Sequence, residues 1–295
     1  MEEFITYLAL VVLGLCMGSF AGASVWRLRA IQLKEEKSEG QKINKKEYEI
    51  LESLTKSSIS NDYSRCLHCS YRLKWYDMVP IASWISLGGK CRKCRKTIGY
   101  MEPVIEVCMA AFFALSYAFW PSEPIPMDTI IGIAVFTLWL IAGVVLAILF
   151  VYDIKWSLLP SQMSLIVIIL GLINALTVIL QSDEKIWAVA SVIAATFILS
   201  GLYWVLNKVS KGKWIGFGDV ELGLGLALLL ADWRLALIAL FMANLLGCLI
   251  VLPPLIVGKL KRNSKIPFGP LLIAGFVIAK FAGFYLIDKF MYNIV

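Results

Sequence analysis

The stretch Ile215–Leu230 reads IGFGDVELGLGLALLL, and its reading decides the fold. From Leu222 onward it is apolar, yet Asp219 and Glu221 stand at its start. A charge at mid-membrane depth costs about 2.5–3.5 kcal/mol on insertion scales. Carboxylates at the mouth of such a segment therefore call for a physical reason.

The rest of the chain shows that the setting is a membrane. It has 295 residues, 59% of them hydrophobic and 17% charged, with a mean hydropathy of +0.77. Soluble domains carry about 25% charged residues. The net charge of +7 does not indicate nucleic acid, because the basic residues fall in blocks between apolar runs. Those runs lie near 4–26, 103–120, 129–152, 161–180, 186–206, 219–231, 234–257 and 268–290. They predict an all-α polytopic membrane protein with about eight transmembrane helices. A crossing takes about 20 residues, with a range of roughly 17–25. The run at 219–231 is too short, which predicts a segment that is tilted, partly unwound or packed inside the bundle, shielded by protein. Glu2 and Glu3 stand where a signal peptide would be basic, so the first run is read as a span.

Lysine and arginine orient the chain. With the N-terminus outside, the loops at 27–102, 153–160, 207–218 and 258–267 face the cytoplasm and hold 24 of the 28 basic residues. The opposite loops, such as PSEPIPMD at 121–128, hold almost none.

Residues 27–102 form the one large polar insert. Lys34–Lys56 is rich in Lys and Glu and reads as a solvated helix or a mobile arm. Cys66 and Cys69 form one CxxC, and Cys91 and Cys94 another, with 21 residues between the two motifs. This spacing predicts a zinc-ribbon-like insert in which four thiolates hold a tetrahedral Zn²⁺. A reducing cytosol disfavours two disulfides. A closed thiolate shell is structural and folds a module with little core. His68 lies inside the first knuckle and is expected beside the shell or exposed. Asp77 is expected to be structural. Cys16, Cys108 and Cys248 lie in apolar runs and read as small core residues.

Two acidic positions mark the later spans. Asp153 closes the third in LFVYDIKWSLLP, and Asp219 opens the sixth in GFGD. The derived topology puts both at the cytoplasmic face, where a bundle can bring them together. Two carboxylates sharing a site hold one proton between them. The ionised one can take a proton from water while the other donates to the carbonyl or the leaving amine, which is the logic of an aspartic protease. The competing readings are a helix end paired with Lys155 for Asp153, and a helix cap for Asp219. Glu221 could act in place of Asp219.

These motifs resemble the type IV prepilin peptidases, of the GxGD class of intramembrane aspartic proteases. GFGD at 216–219 is similar to GxGD, and YDIKWSLLP at 152–160 to the first aspartate motif. GSF at 18–20 with WRL at 26–28, the double-CxxC segment and PFGPLLIAG at 267–275 complete the likeness. The resemblance implies removal of the leader of prepilin or pseudopilin precursors by Asp153 and Asp219, and methylation of the new N-terminus with S-adenosylmethionine. It implies division into 1–106, with the zinc insert and the methylation function, and 107–295, the peptidase bundle. It also implies a multi-pass protein of the bacterial inner membrane, partnered by precursor and bilayer. Gly22 departs from an Asn common in the family, and Glu221 from a Lys. The alternatives are a peptidase without methylation and, from a different class, a proton-coupled transporter relaying through the two aspartates.

Overall fold

The computed structural model describes residues 1–55, 63–120, 129–259 and 266–292. The loop at 121–128 and most of that at 258–267, both used to orient the chain, lie outside these residues. The described residues are helical, with isolated β-bridges at Arg65–Arg72 and Lys90–Thr97. The helices are α1 (Glu2–Ser38), α2 (Lys45–Thr55), α3 (Ala82–Ser86), α4 (Met101–Ala118), α5 (Ile130–Trp156), α6 (Ser161–Gln181) and α7 (Lys185–Thr196). After a π turn at Phe197–Gly201 come α8 (Leu202–Ser210), α9 (Phe217–Leu230), α10 (Trp233–Ile256) and α11 (Gly269–Tyr292).

Among the described residues, seven helical segments are long and apolar enough to cross a membrane, with α7, the π turn and α8 counting as one. Large apolar side chains on them are exposed, among them Ile130, Ile186, Phe197, Phe241 and Ile256. Such a surface suits lipid and would aggregate in water. The eighth run is the 14-residue α9. At about 1.5 Å per residue it spans about 21 Å, short of the roughly 30 Å hydrocarbon core.

The chain forms two compact units, Met1–Ala118 and Phe119–Val295. The expected functional division at 106/107 lies within α4. This helix packs along α1, antiparallel, through a glycine stripe. A Cβ on Gly14 would stand 2.7 Å from Ala110 Cα, and one on Gly18 would stand 2.5 Å from Glu106 Cα. Small residues at four-residue spacing let two membrane helices approach to backbone contact. Beyond the apolar run α1 continues to Ser38 and carries α2. Arg29 donates to both carboxylate oxygens of Glu47 at 3.0 and 3.1 Å, and Leu51 is buried against Ala30 and Leu33. The described part of the Lys34–Lys56 segment is thus helical at 34–38 and again at 45–55, with one face packed and not solvated throughout.

In the second unit α9 is the buried core element, from Val220 to Leu230. Glycines again allow the approach: a Cβ on Gly225 would meet Val167 Cγ1 at 2.8 Å, and one on Gly171 would meet Leu228 Cβ at 2.7 Å. Side chains from α6 and the π turn satisfy carbonyls of α9. Asn174 Nδ2 donates to Leu229 O at 3.0 Å and Leu228 O at 3.3 Å, and Ser200 Oγ donates to Val220 O at 3.0 Å. Of the three fates expected for the short run, packing inside the bundle is the observed one.

Candidate active site and metal centre

Asp153 lies in the last turn of α5, which Ser157 closes in the left-handed conformation. The chain then turns through Leu158–Pro160 into α6. Asp153 is only 4% exposed, and its Oδ2 accepts the backbone N–H of Gly269 at 3.0 Å. Gly269 is the first residue of α11, so a helix N-terminus with its unsatisfied N–H groups points at the carboxylate. Asp153 forms no ion pair among the described residues, which removes the pairing with Lys155.

Asp219 is the third residue of α9, and its Oδ2 accepts the N–H of Gly216 at 3.2 Å. The cap reading is therefore half correct. The N-cap residue is Gly216, and Asp219 reaches back to it with a single oxygen.

Leu159 joins the two places. A Cβ on Gly269 would stand 2.8 Å from Asp153 Oδ2 and 3.3 Å from Leu159 Cδ2. A Cβ on Gly218 would stand 2.9 Å from Leu159 Cβ. One leucine thus fills the gap between the Gly269 turn and the GFGD turn. Asp153 and Asp219 lie within electrostatic reach of each other. Tyr203 is buried beside them, its ring 5.3 Å from that of Phe268, and also lies within electrostatic reach of Asp219. Glu221 is half-buried, and its Oε2 has no hydrogen-bond partner.

The four cysteines of the insert converge. Their sulfurs all lie within 4.8 Å of one another, with Cys66–Cys94 and Cys69–Cys91 each at 3.9 Å. Four sulfurs about 2.3 Å from a tetrahedral ion stand about 3.8 Å apart, so the set fits such an ion. The two knuckles repeat one geometry with an offset of 25 residues. Cys66 N–H donates to Tyr71 O and Cys91 N–H to Lys96 O, both at 2.9 Å. Ser70 and Arg95, each four residues after the first cysteine of its knuckle, have φ of +54° and +58°. In the thiol state burial pushes Cys66 up to about 12. For Cys91 burial acts upward too, but hydrogen bonds with the N–H groups of Cys94 and Lys93 and with the sulfurs of Cys66 and Cys94 together outweigh it and bring the thiol down to about 7. His68 is exposed. Asp77 is structural as expected: it accepts Arg92 Nε at 2.8 Å and the N–H of Lys74 at 3.2 Å. Cys16, Cys108 and Cys248 are exposed on apolar helices and are not core residues. In a membrane span the outward face meets lipid, so an apolar setting does not imply burial.

The fold and this site define a polytopic helical membrane protein with a carboxylate pair in its bundle and a separate four-cysteine module. Residues 12–120 match the bacterial peptidase A24 N-terminal domain, and residues 135–252 match the type IV leader peptidase family. The chain belongs to the type IV leader peptidase family. It is 30% identical over 227 residues to a prepilin leader peptidase/N-methyltransferase of Burkholderia pseudomallei, covering 76% of this chain and 69% of the relative. It is 28% identical over 266 residues to the enzyme of that name from Dichelobacter nodosus, covering 89% and 87%. For that of Stutzerimonas stutzeri the identity is 26% over 281 residues, covering 92% and 89%. No solved structure shows significant similarity.

Three participants were not read from sequence as contacts. Gly269 stood in a quoted motif, PFGP, but its N–H bond to Asp153 spans 116 positions. Leu159 and Tyr203 are ordinary apolar-run residues whose placement comes from packing.

Proposed function

We propose that this protein is a membrane aspartic endopeptidase that removes the leader of prepilin-like precursors at the cytoplasmic face and N-methylates the new N-terminus. The observation that carries the peptidase reading is the meeting of Asp153 and Asp219 around Leu159, two acids 66 positions apart. The pair shares one proton. The ionised member takes a proton from the attacking water, and the protonated member donates to the carbonyl oxygen and then to the leaving amine. The N–H of Gly269 holds one oxygen of Asp153, and that of Gly216 one oxygen of Asp219. Each acid keeps its other oxygen for the reaction. The glycine backbones at 216 and 218 leave room for an extended substrate strand to approach.

Cys66, Cys69, Cys91 and Cys94 would hold a structural Zn²⁺ in the insert, where it supplies folding energy and not hydrolysis. S-adenosylmethionine supplies the methyl group when bound. The protein sits in the bacterial inner membrane with its N-terminus outside. This orientation keeps a basic leader in the cytosol while the apolar helix of the precursor lies in the bilayer. A transporter would place its acids at midplane depth, whereas here both lie within a turn of a helix end.

The test is intact-mass analysis of a prepilin-like precursor incubated with detergent-purified protein and methyl donor. Wild type yields the shortened, singly methylated product. Asp153→Asn and Asp219→Asn each lose cleavage by roughly 10³-fold or more, as expected for members of one catalytic unit. Cleavage at the wild-type rate by both folded variants would overturn the reading. A shortened product without methyl gain would select a peptidase that lacks the second activity.

A further inference from the structure

The first unit holds a partly open cavity of about 550 Å³ that the peptidase chemistry does not use. This is the size of a small-ligand pocket, typically about 300–1,000 Å³. One wall is α1, with Ser19, Ala23 and Trp26 at helical spacing. A second is α4, with Glu102 and Glu106. The zinc-type knuckles close it with Arg65, Arg92 and Lys96.

Two residues of opposite charge that line this space each carry a buried polar atom without a partner. Glu102 Oε2 is buried with no hydrogen-bond partner, and so is Arg65 Nε, and both residues line the cavity. A buried acceptor or donor left unmade costs about 1–3 kcal/mol, and more when charged. The neighbouring groups are already engaged. Glu102 Oε1 accepts Trp26 Nε1 at 3.4 Å, and Glu106 Oε2 accepts the N–H of Ile81 at 2.7 Å. Ile81 has φ of +58°, a strained conformation for a β-branched residue. Strain of this kind persists where the surroundings enforce it, commonly at ligand sites.

A ligand that answers both residues carries a cationic and an anionic group. A free phosphate or nucleotide does not fit, because two carboxylates share the wall. A sulfonium has no N–H to donate, so it is held by charge and by an aromatic face, here Glu102 with Trp26. An α-carboxylate suits Arg65.

We propose that this cavity is the methyl-donor site, binding S-adenosylmethionine with its sulfonium and its ammonium toward Glu102 and Trp26 and the carboxylate of the same amino-acid moiety at Arg65. The assignment rests on the methyltransferase reading above. In the transfer the lone pair of the neutral N-terminal amine forms the new N–C bond to the donor methyl. The S–C bond breaks with its electron pair on sulfur, which leaves as a neutral thioether, and the extra ammonium proton passes to water.

The test reads binding, not turnover. Detergent-purified, zinc-loaded full-length protein is titrated calorimetrically with S-adenosylmethionine and with its demethylated product, whose sulfur is a neutral thioether. Ultraviolet crosslinking of labelled donor is mapped by peptide mass. The expected crosslinks fall in residues 16–27 and 98–106. Glu102→Gln should weaken the sulfonium at least tenfold and the thioether less, because the thioether brings only its ammonium, and no charge on sulfur, to that position. Arg65→Met should weaken both. Zinc content and thermal unfolding check that the variants are folded. Wild-type affinity for both ligands in both variants, with crosslinks elsewhere, overturns the site while methylation by wild type keeps the enzyme reading. Absence of donor binding and of methylation by wild type overturns both.

Discussion

Gly269 gives its backbone N–H to Asp153 Oδ2 at 3.0 Å, and a Cβ at that glycine would stand 2.8 Å from the same oxygen. The carboxylate is thus set by a residue that cannot carry a side chain without moving it. In Gly269→Ala either Asp153 or the start of α11 must shift. A misplacement near 1 Å can cost on the order of 10² in rate. The expected outcome is a fall of that size in kcat/KM for leader removal. Methylation of an already shortened substrate should be unchanged. Equal loss of both activities would show general unfolding instead.

Gly18 and Gly22 lie one turn apart on α1 and should respond oppositely. A Cβ on Gly18 meets Glu106 Cα at 2.5 Å, whereas one on Gly22 meets nothing closer than Ile105 Cδ1 at 3.8 Å. Gly18→Ala should force α1 and α4 apart and destabilise the first unit by about 1–3 kcal/mol. Gly22→Asn, which restores the residue common in the family, should be neutral or slightly stabilising. Thermal unfolding in detergent compares the two.

Asn174 should be worth more than its size suggests. Its amide bridges two carbonyls at the end of α9, Leu228 and Leu229. Asn174→Ala should cost about 1–2 kcal/mol, the upper range for interhelical hydrogen bonds in membranes. The loss should appear as a lower unfolding temperature together with reduced cleavage, because α9 carries Asp219. Stability equal to wild type would mean that those carbonyls find other donors.

The cysteine cluster predicts one bound zinc per chain by elemental analysis, and none in Cys91→Ser/Cys94→Ser. Thiolates must take up protons to release the ion, so zinc should be retained at neutral pH and lost as the pH falls. Chelation should expose the insert to limited proteolysis while the second unit stays folded. A protein that purifies without metal and keeps a protease-resistant insert would contradict a structural ion.

Much of this was legible in sequence because the physics is local. Twenty apolar residues in a row make a membrane helix wherever they occur, and two CxxC pairs at this spacing make a tetrahedral thiolate set. A 14-residue α9 could be known as too short to cross alone. The acids at 153 and 219 stood out because charge is costly there. Other features depended on neighbours distant in the chain. Burial of α9 was decided by Gly171, Gly223 and Gly225 letting backbones touch. The packed face of α2 was decided by Arg29 and Glu47.

The sequence by itself thus determined the helical membrane class, the likeness to its family, the metal-type cysteines and the two acids, since each follows from composition or short spacing. Tertiary structure alone decided that Leu159 fills the gap between the Gly269 and GFGD turns, that a glycine N–H holds Asp153, and that Glu102 and Arg65 line one cavity with unmet hydrogen-bonding groups. Those are relations across 25 or more positions of sequence, and the close approach of packed helices sets them.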